Sequence, residues 1–195
     1  MIKRVKPETF VVKGDIMEVY LPVQKKQAPS LDILLEHPDF FVINKPKGIG
    51  VHEGKTISFE ESLLSKLIKF FEPKGVIPYL VHRLDFNTSG CLLGAKSEPV
   101  AQQFEKIFEE GQIQKQYLVL VQGLMERSSG SLQSPLPGRT GALMPAVTFY
   151  QVLKRFPEGR VTLIEAKLKT GRKHQIRLHF SKIGHPVVMD QEYGN

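Results

Sequence analysis

Four consecutive apolar residues in DFFVINKPKG (residues 39–48) stop at Pro46 and Gly48, a pattern that predicts a buried strand. Ser58 and Glu61 have the spacing of a capping box, and Leu63, Leu64, Leu67, Ile68 and Phe71 follow at helical intervals. The spacing predicts a helix opened by Ser58 and closed by Pro73 and Gly75. The stretch VHRLDFNTSGCLLGAK (81–96) reads as a polar turn running into a strand, and Ser97 caps a second helix. That helix carries Val100, Phe104, Ile107 and Phe108 on one face and stops at Gly111. KQYLVLVQG (115–123) is a strand, and residues 128–145 read as a loop rich in Ser, Gly and Pro. Residues 146–156 and 160–170 form a strand pair across Pro157-Glu158-Gly159. Residues 173–183 are a helix with Ile176, Phe180 and Ile183 facing inward and Gly184 as its stop, and a short strand around Val187 and Val188 follows. Strands predominate with helices interspersed, so the expected class is α+β: a mixed, mostly antiparallel sheet flanked by helices.

Residues 1–27 read as a separate piece: an extended segment, a turn at Lys13-Gly14-Asp15, a strand from Ile16 to Leu21, then a basic, Pro-containing linker. A plain edge hairpin of the main domain is the other reading. The main domain is expected to run from 28 to 195.

Composition adds bounds. The 195 residues suffice for one sizeable core and a small appendage, and 41% apolar with 24% charged residues is ordinary for a soluble globular protein. No apolar run approaches the roughly 20 residues of a membrane span, and the N-terminus lacks the apolar core of a signal peptide, so the expected location is the cytoplasm. The single Cys91 excludes an internal disulfide; with Leu92 and Leu93 after it, a buried, inert thiol is expected. The net charge of +7 favours a polyanionic partner, nucleic acid above all.

Metal and nucleotide chemistry find little support. None of the six histidines belongs to an HExxH motif or pairs with cysteines at zinc spacing, and His174 and His179 diverge by about 140° on a helix. There is no P-loop and no GxGxxG. What remains is Asp85. It is either the carboxylate of an Asx-type turn near Asn87 and Thr88, or a catalytic group on a shaped loop. In TGRKHQIRLHFSKIGHP (170–186), His174, Arg177 and Ser181 share one helical face. That face is either solvated surface or a place where Arg177 forks onto a buried carboxylate.

At these residues the chain resembles a known family. HRLD-x-x-TSG-x-LL-x-AK (82–96) resembles the central motif of the RluA-type RNA pseudouridine synthases. KQYLVLVQG, GRKHQIRLHFSKIGHPVVMDQEYG and FFVINKPKGIGVH resemble three further family segments, in order, over about Leu31 to Gly194. The N-terminal RVKPETFVVKGDIMEV is similar to the last hairpin of the RNA-binding module shared with ribosomal protein S-four, of which only a remnant is expected. The family usually continues beyond the YG with a further segment, so the C-terminal end is expected to be short.

The resemblance implies a pseudouridine synthase catalytic domain with a central active-site cleft, isomerising uridines of rRNA or tRNA after base flipping. No cofactor or metal is implied, and monomer is the default. By the resemblance Asp85 is the catalytic nucleophile or base, Arg177 its cationic partner, and Tyr117 the ring on which the freed uracil stacks. On strand pattern alone Tyr117 is a core residue. Arg83 is expected near the RNA, and His82 and Thr88 to shape the turn beside it. Lys45, Lys47, Lys115 and Arg172 are candidates for phosphate contacts. An RNA-binding protein of synthase fold with little catalysis is the alternative.

Overall fold

The computed structural model describes residues 31–54, 57–138 and 140–194. The N-terminal hairpin expected over residues 1–27 lies outside them.

Two four-stranded antiparallel sheets organise the described residues. The first has the order β1-β2-β4-β3, from β1 (Ile33–Glu36), β2 (Phe40–Lys45), β3 (Tyr79–Leu80) and β4 (Gly90–Ala95). Helix α1 (Leu63–Phe71) presents Leu63, Leu67 and Phe71, spaced by one turn, to a core with Phe41, Ile43 and Leu92. The Phe41 and Phe71 rings meet at 4.8 Å between centroids. Helix α2 (Glu98–Glu109) lays Ala101 and Phe104 against Val81 and Ala95.

The second sheet has the order β5-β10-β9-β6, from β5 (Lys115–Gln122), β6 (Ser129–Leu132), β9 (Thr148–Phe156) and β10 (Val161–Leu168). Between them, β7 (Leu136–Pro137) pairs with β8 (Leu143–Met144). Val121 and Ile164 face helix α3 (Gln175–Lys182) through Phe180. Tyr117 packs against both this core and the first, so β5 is where the two halves meet. Every strand pair among the described residues is antiparallel.

Four local expectations are corrected. The cap of α1 is Ser62, whose Oγ accepts from Ser65 N–H; Ser58 and Glu61 do bond each other, but in the preceding turn. The loop carbonyls of Gly50 and Val51 take the N–H groups of Leu63 and Leu64, and that tertiary contact fixes where the helix begins. The supposed loop 128–145 contains β6, β7 and β8. Ile183 is 41% exposed, because the chain leaves the helix at Gly184 (φ 77°) before the residue turns inward. Cys91 is exposed, since the alternation of β4 that buries Leu92 points its neighbour outward. Among the described residues, no helix is long and apolar enough to cross a membrane.

Gly94 of β4 lies under the buried Phe41 ring, where a Cβ would overlap the ring. Gly94→Ala should lower the unfolding free energy by roughly 1–3 kcal/mol in a denaturant titration, because Phe41 is fixed against Phe71 and cannot yield. An unchanged midpoint would show that this core is not close-packed.

Candidate active site

Asp85 stands at the focus of the two halves. It lies in the turn before β4, with its side chain 27% exposed. The N–H of Thr88 donates to the Asp85 backbone carbonyl at 3.0 Å, so the turn is closed by main chain and not by the carboxylate. Phe86, next to it, gives its carbonyl to Gly48 N–H at 2.8 Å and to Lys45 Nζ at 3.3 Å, anchoring the turn to the end of β2.

The negative charge of Asp85 is felt by four groups from separate places in the chain. It favours the protonated forms of Lys45, Tyr117, His174 and Arg177. Burial pulls the Lys45 ammonium down to about 8, with Asp85 opposing. Burial pushes the Tyr117 phenol up, and Asp85 adds to it, so this hydroxyl rests protonated. His174 Nε2 is 3.7 Å from Asp85 Oδ1.

Two expected roles change. Arg177 is near Asp85 electrostatically, but its fork lies on Asp190: Nε donates to Oδ2 at 2.6 Å and Nη2 to Oδ1 at 2.7 Å, and Nη2 reaches Glu192 Oε2 at 3.1 Å. The Asp190 side chain is 3% exposed and also accepts the N–H groups of Glu192 and Tyr193, so it is the better bidentate partner. Arg177 holds the Asp190 carboxyl down at about 2, and Asp190 in turn raises the guanidinium. Lys45 is fully buried, and its Nζ donates to Pro46 O at 2.9 Å as well as to Phe86 O. A phosphate cannot reach it; it supports the turn from beneath.

The other candidates divide by exposure. Arg83 and Lys47 are exposed, and Arg83 lies close enough to His52 to disfavour its protonation. Lys115 is half-buried, with its ammonium pulled down by burial. Arg172 is half-buried and donates through Nε to Pro145 O at 3.3 Å. Thr88 is half-buried in the turn. His82 Nε2 accepts from Leu93 N–H at 2.9 Å while its ring packs on Phe108, and burial pulls it down to about 4.

The segment 170–182 divides its side chains by face. Gln175 is 3% exposed and fully partnered: Oε1 accepts from Thr170 Oγ1 and Arg172 N–H, and Nε2 donates to Val147 O and Thr148 Oγ1. His179 bridges Thr148 Oγ1 and Ser134 O. These two fix α3 to β9. The opposite face, His174, Arg177 and Ser181, is covered by residues 190–193. His174, Asp190, Glu192 and Tyr193 were not singled out as site residues by sequence reasoning. The sequence signs are that His174 shares a helical face with Arg177, and that His174, Asp190 and Tyr193 lie in the family-like segment GRKHQIRLHFSKIGHPVVMDQEYG. Among the described residues no group of His, Cys, Asp and Glu is arranged to hold a metal.

The RNA pseudouridylate synthase family matches residues 39–182, which include the Asp85 turn, Tyr117 and α3. The chain belongs to that family. Its relatives place it in the RluA type. A ribosomal large subunit pseudouridine synthase C of Escherichia coli K12 is 33% identical over 217 residues, covering 99% of this chain and 66% of the relative. An uncharacterized RNA pseudouridine synthase of Aquifex aeolicus is 33% identical over 210 residues, covering 97% of this chain and 66% of the relative. The chain thus spans about two thirds of the length of such curated relatives. Of solved structures, human RNA pseudouridylate synthase domain containing 1 superposes with TM-score 0.70 at 28% identity, covering 85% of this chain and 70% of that one.

His82 is a test of the site's support. Its ordinary value is 6.5 and the fold holds it at about 4, so across that window the unfolded chain binds a proton that the folded chain refuses. Its contribution to stability is therefore present above pH 6.5 and lost as pH falls toward 4. His82→Gln, which keeps an acceptor for Leu93 N–H, should lose less stability than wild type between pH 6.5 and 4 in urea unfolding; parallel curves would contradict a buried neutral imidazole.

Proposed function

We propose that the chain isomerises uridine within RNA to pseudouridine, with Asp85 as the catalytic carboxylate. The observation that carries this reading is the Asp85 turn, anchored to Lys45 through Phe86 and facing His174 Nε2 at 3.7 Å, within a chain of the synthase family. In the reaction the C1′–N1 bond breaks, the base turns, and a C1′–C5 bond forms. C5 gives up a proton and N1 gains one, so no oxidant or cofactor is required. Asp85 acts as the carboxylate, toward ribose or uracil. Tyr117, between the two cores and protonated at rest, offers a ring for the detached uracil and a hydroxyl that donates first.

The target uridine must leave its stack to reach Asp85, at a cost of a few kcal/mol. Exposed Arg83 and Lys47 serve as RNA contacts, with half-buried Lys115 and Arg172 as further phosphate contacts. Relatives called ribosomal large subunit synthases favour rRNA over tRNA as the substrate. The protein works as a cytoplasmic monomer in this reading. One observation favours a non-catalytic RNA-binding role instead: the Arg177 fork is occupied by Asp190.

Pseudouridine-specific chemical mapping of rRNA and tRNA, from cells with and without the gene, separates the two. At least one site should vanish on deletion and return with wild type but not with Asp85→Asn. Rescue by Asp85→Asn, or no lost site, would leave RNA binding as the function.

A further inference from the structure

We propose that His174 is a positioning residue for Asp85, its ring pinned by Tyr193 so that an Nε2–H is aimed at the carboxylate. The inference rests on the reading of Asp85 as the catalytic group.

The backbone is the first sign. His174 precedes α3 at φ 52°, left-handed and not glycine. Such a conformation is strained for a residue other than glycine and persists only where its surroundings over-determine it. Here the Gln175 amide, held by four partners from Thr170, Arg172, Val147 and Thr148, imposes the turn. The consequence is a ring directed back across the helix start toward Asp85, 13% exposed.

The ring's own partners are the second sign. Nδ1 lies 2.9 Å from the Tyr193 hydroxyl and 3.5 Å from Glu192 Oε2, while Nε2 faces Asp85 Oδ1 at 3.7 Å. Tyr193 is itself fixed three times: its carbonyl accepts from Ser181 Oγ, its N–H donates to Asp190, and its ring lies 4.7 Å from the Arg177 guanidinium. Around the imidazole, burial disfavours protonation most strongly and Arg177 and Lys173 add to it, against Asp85 and Glu192, leaving the ring neutral at neutral pH.

A neutral imidazole has one N–H and must choose. If Tyr193 O–H donates to Nδ1, the proton sits on Nε2 and points at Asp85. If the hydroxyl turns to Glu192 and Nδ1 keeps the proton, a bare lone pair faces a carboxylate. Glu192, 54% exposed, already accepts from Arg177 Nη2 and competes with Nδ1 for this hydroxyl. We take the first arrangement, which of the two presents a donor to Asp85. The 3.7 Å separation is longer than a hydrogen bond, as such contacts often are before substrate closes the site.

The test uses the whole chain, a large-subunit rRNA transcript labelled with [5-³H]uridine, and ¹⁵N-labelled histidine. Single-turnover tritium release should fall roughly 10- to 100-fold in His174→Phe, with the RNA Kd within about twofold of wild type. His174→Gln, whose amide nitrogen overlays Nε2, should recover most of the loss. Imidazole ¹⁵N shifts of wild type should place the proton on Nε2, and Tyr193→Phe should mix the tautomers and slow release. Unimpaired release by His174→Phe, or a wild-type proton on Nδ1, overturns the proposal. The tautomer is read without RNA, so it decides even if His174→Phe fails to fold. Tritium release by Asp85→Asn would instead overturn the reading of Asp85 itself.

Discussion

The site depends on one buried carboxylate that is not Asp85. Asp190, 3% exposed, accepts both arms of Arg177 and two backbone N–H groups of the chain that follows it. A carboxylate so buried would be costly alone; four donors and a matching cation make it a fixed point. Because Arg177 belongs to α3 and Asp190 to the tail, their union lays residues 190–193 over the polar face of the helix. That placement brings Tyr193 to His174, whose Nε2 lies 3.7 Å from Asp85 Oδ1. The arginine thus serves Asp85 at one remove, by charge and by the scaffold it fastens.

Beneath Asp85 a second constraint operates. Lys45 is buried at the end of β2 with backbone carbonyls as its hydrogen-bond acceptors, and one of them belongs to Phe86. The ammonium fixes the turn and adds positive charge below it. Tyr117 closes the space from β5, shared between two cores. A position set by both halves of the fold is rigid in a way that a loop on either alone is not.

Much of this was legible in the sequence and some could not be. The strands 40–45, 115–122, 148–156 and 161–168 show as apolar runs bounded by Pro, Gly or polar turns, because burial on a sheet imposes that pattern locally. Short pairings such as β7 with β8 leave no such trace; two residues carry no period. The Asp85 turn was visible as a cluster of polar residues before an apolar strand. What those residues bond to was not. Whether Arg177 reaches Asp85 or Asp190, and whether Lys45 faces solvent or the core, is decided by which segments lie side by side, information that spacing along one chain does not hold. The helix start shows the same limit: Ser58 and Ser62 are similar as caps, and the Gly50 and Val51 carbonyls choose between them.

The most direct test of the account is a turnover assay on the purified chain. Transcripts of large-subunit rRNA and of tRNA, labelled at uridine C5 with tritium, should release tritium to water in step with pseudouridine formed, with no metal or cofactor added. RNA that is bound without any release of tritium would contradict the claim that this fold, with Asp85 at its centre, performs the isomerisation.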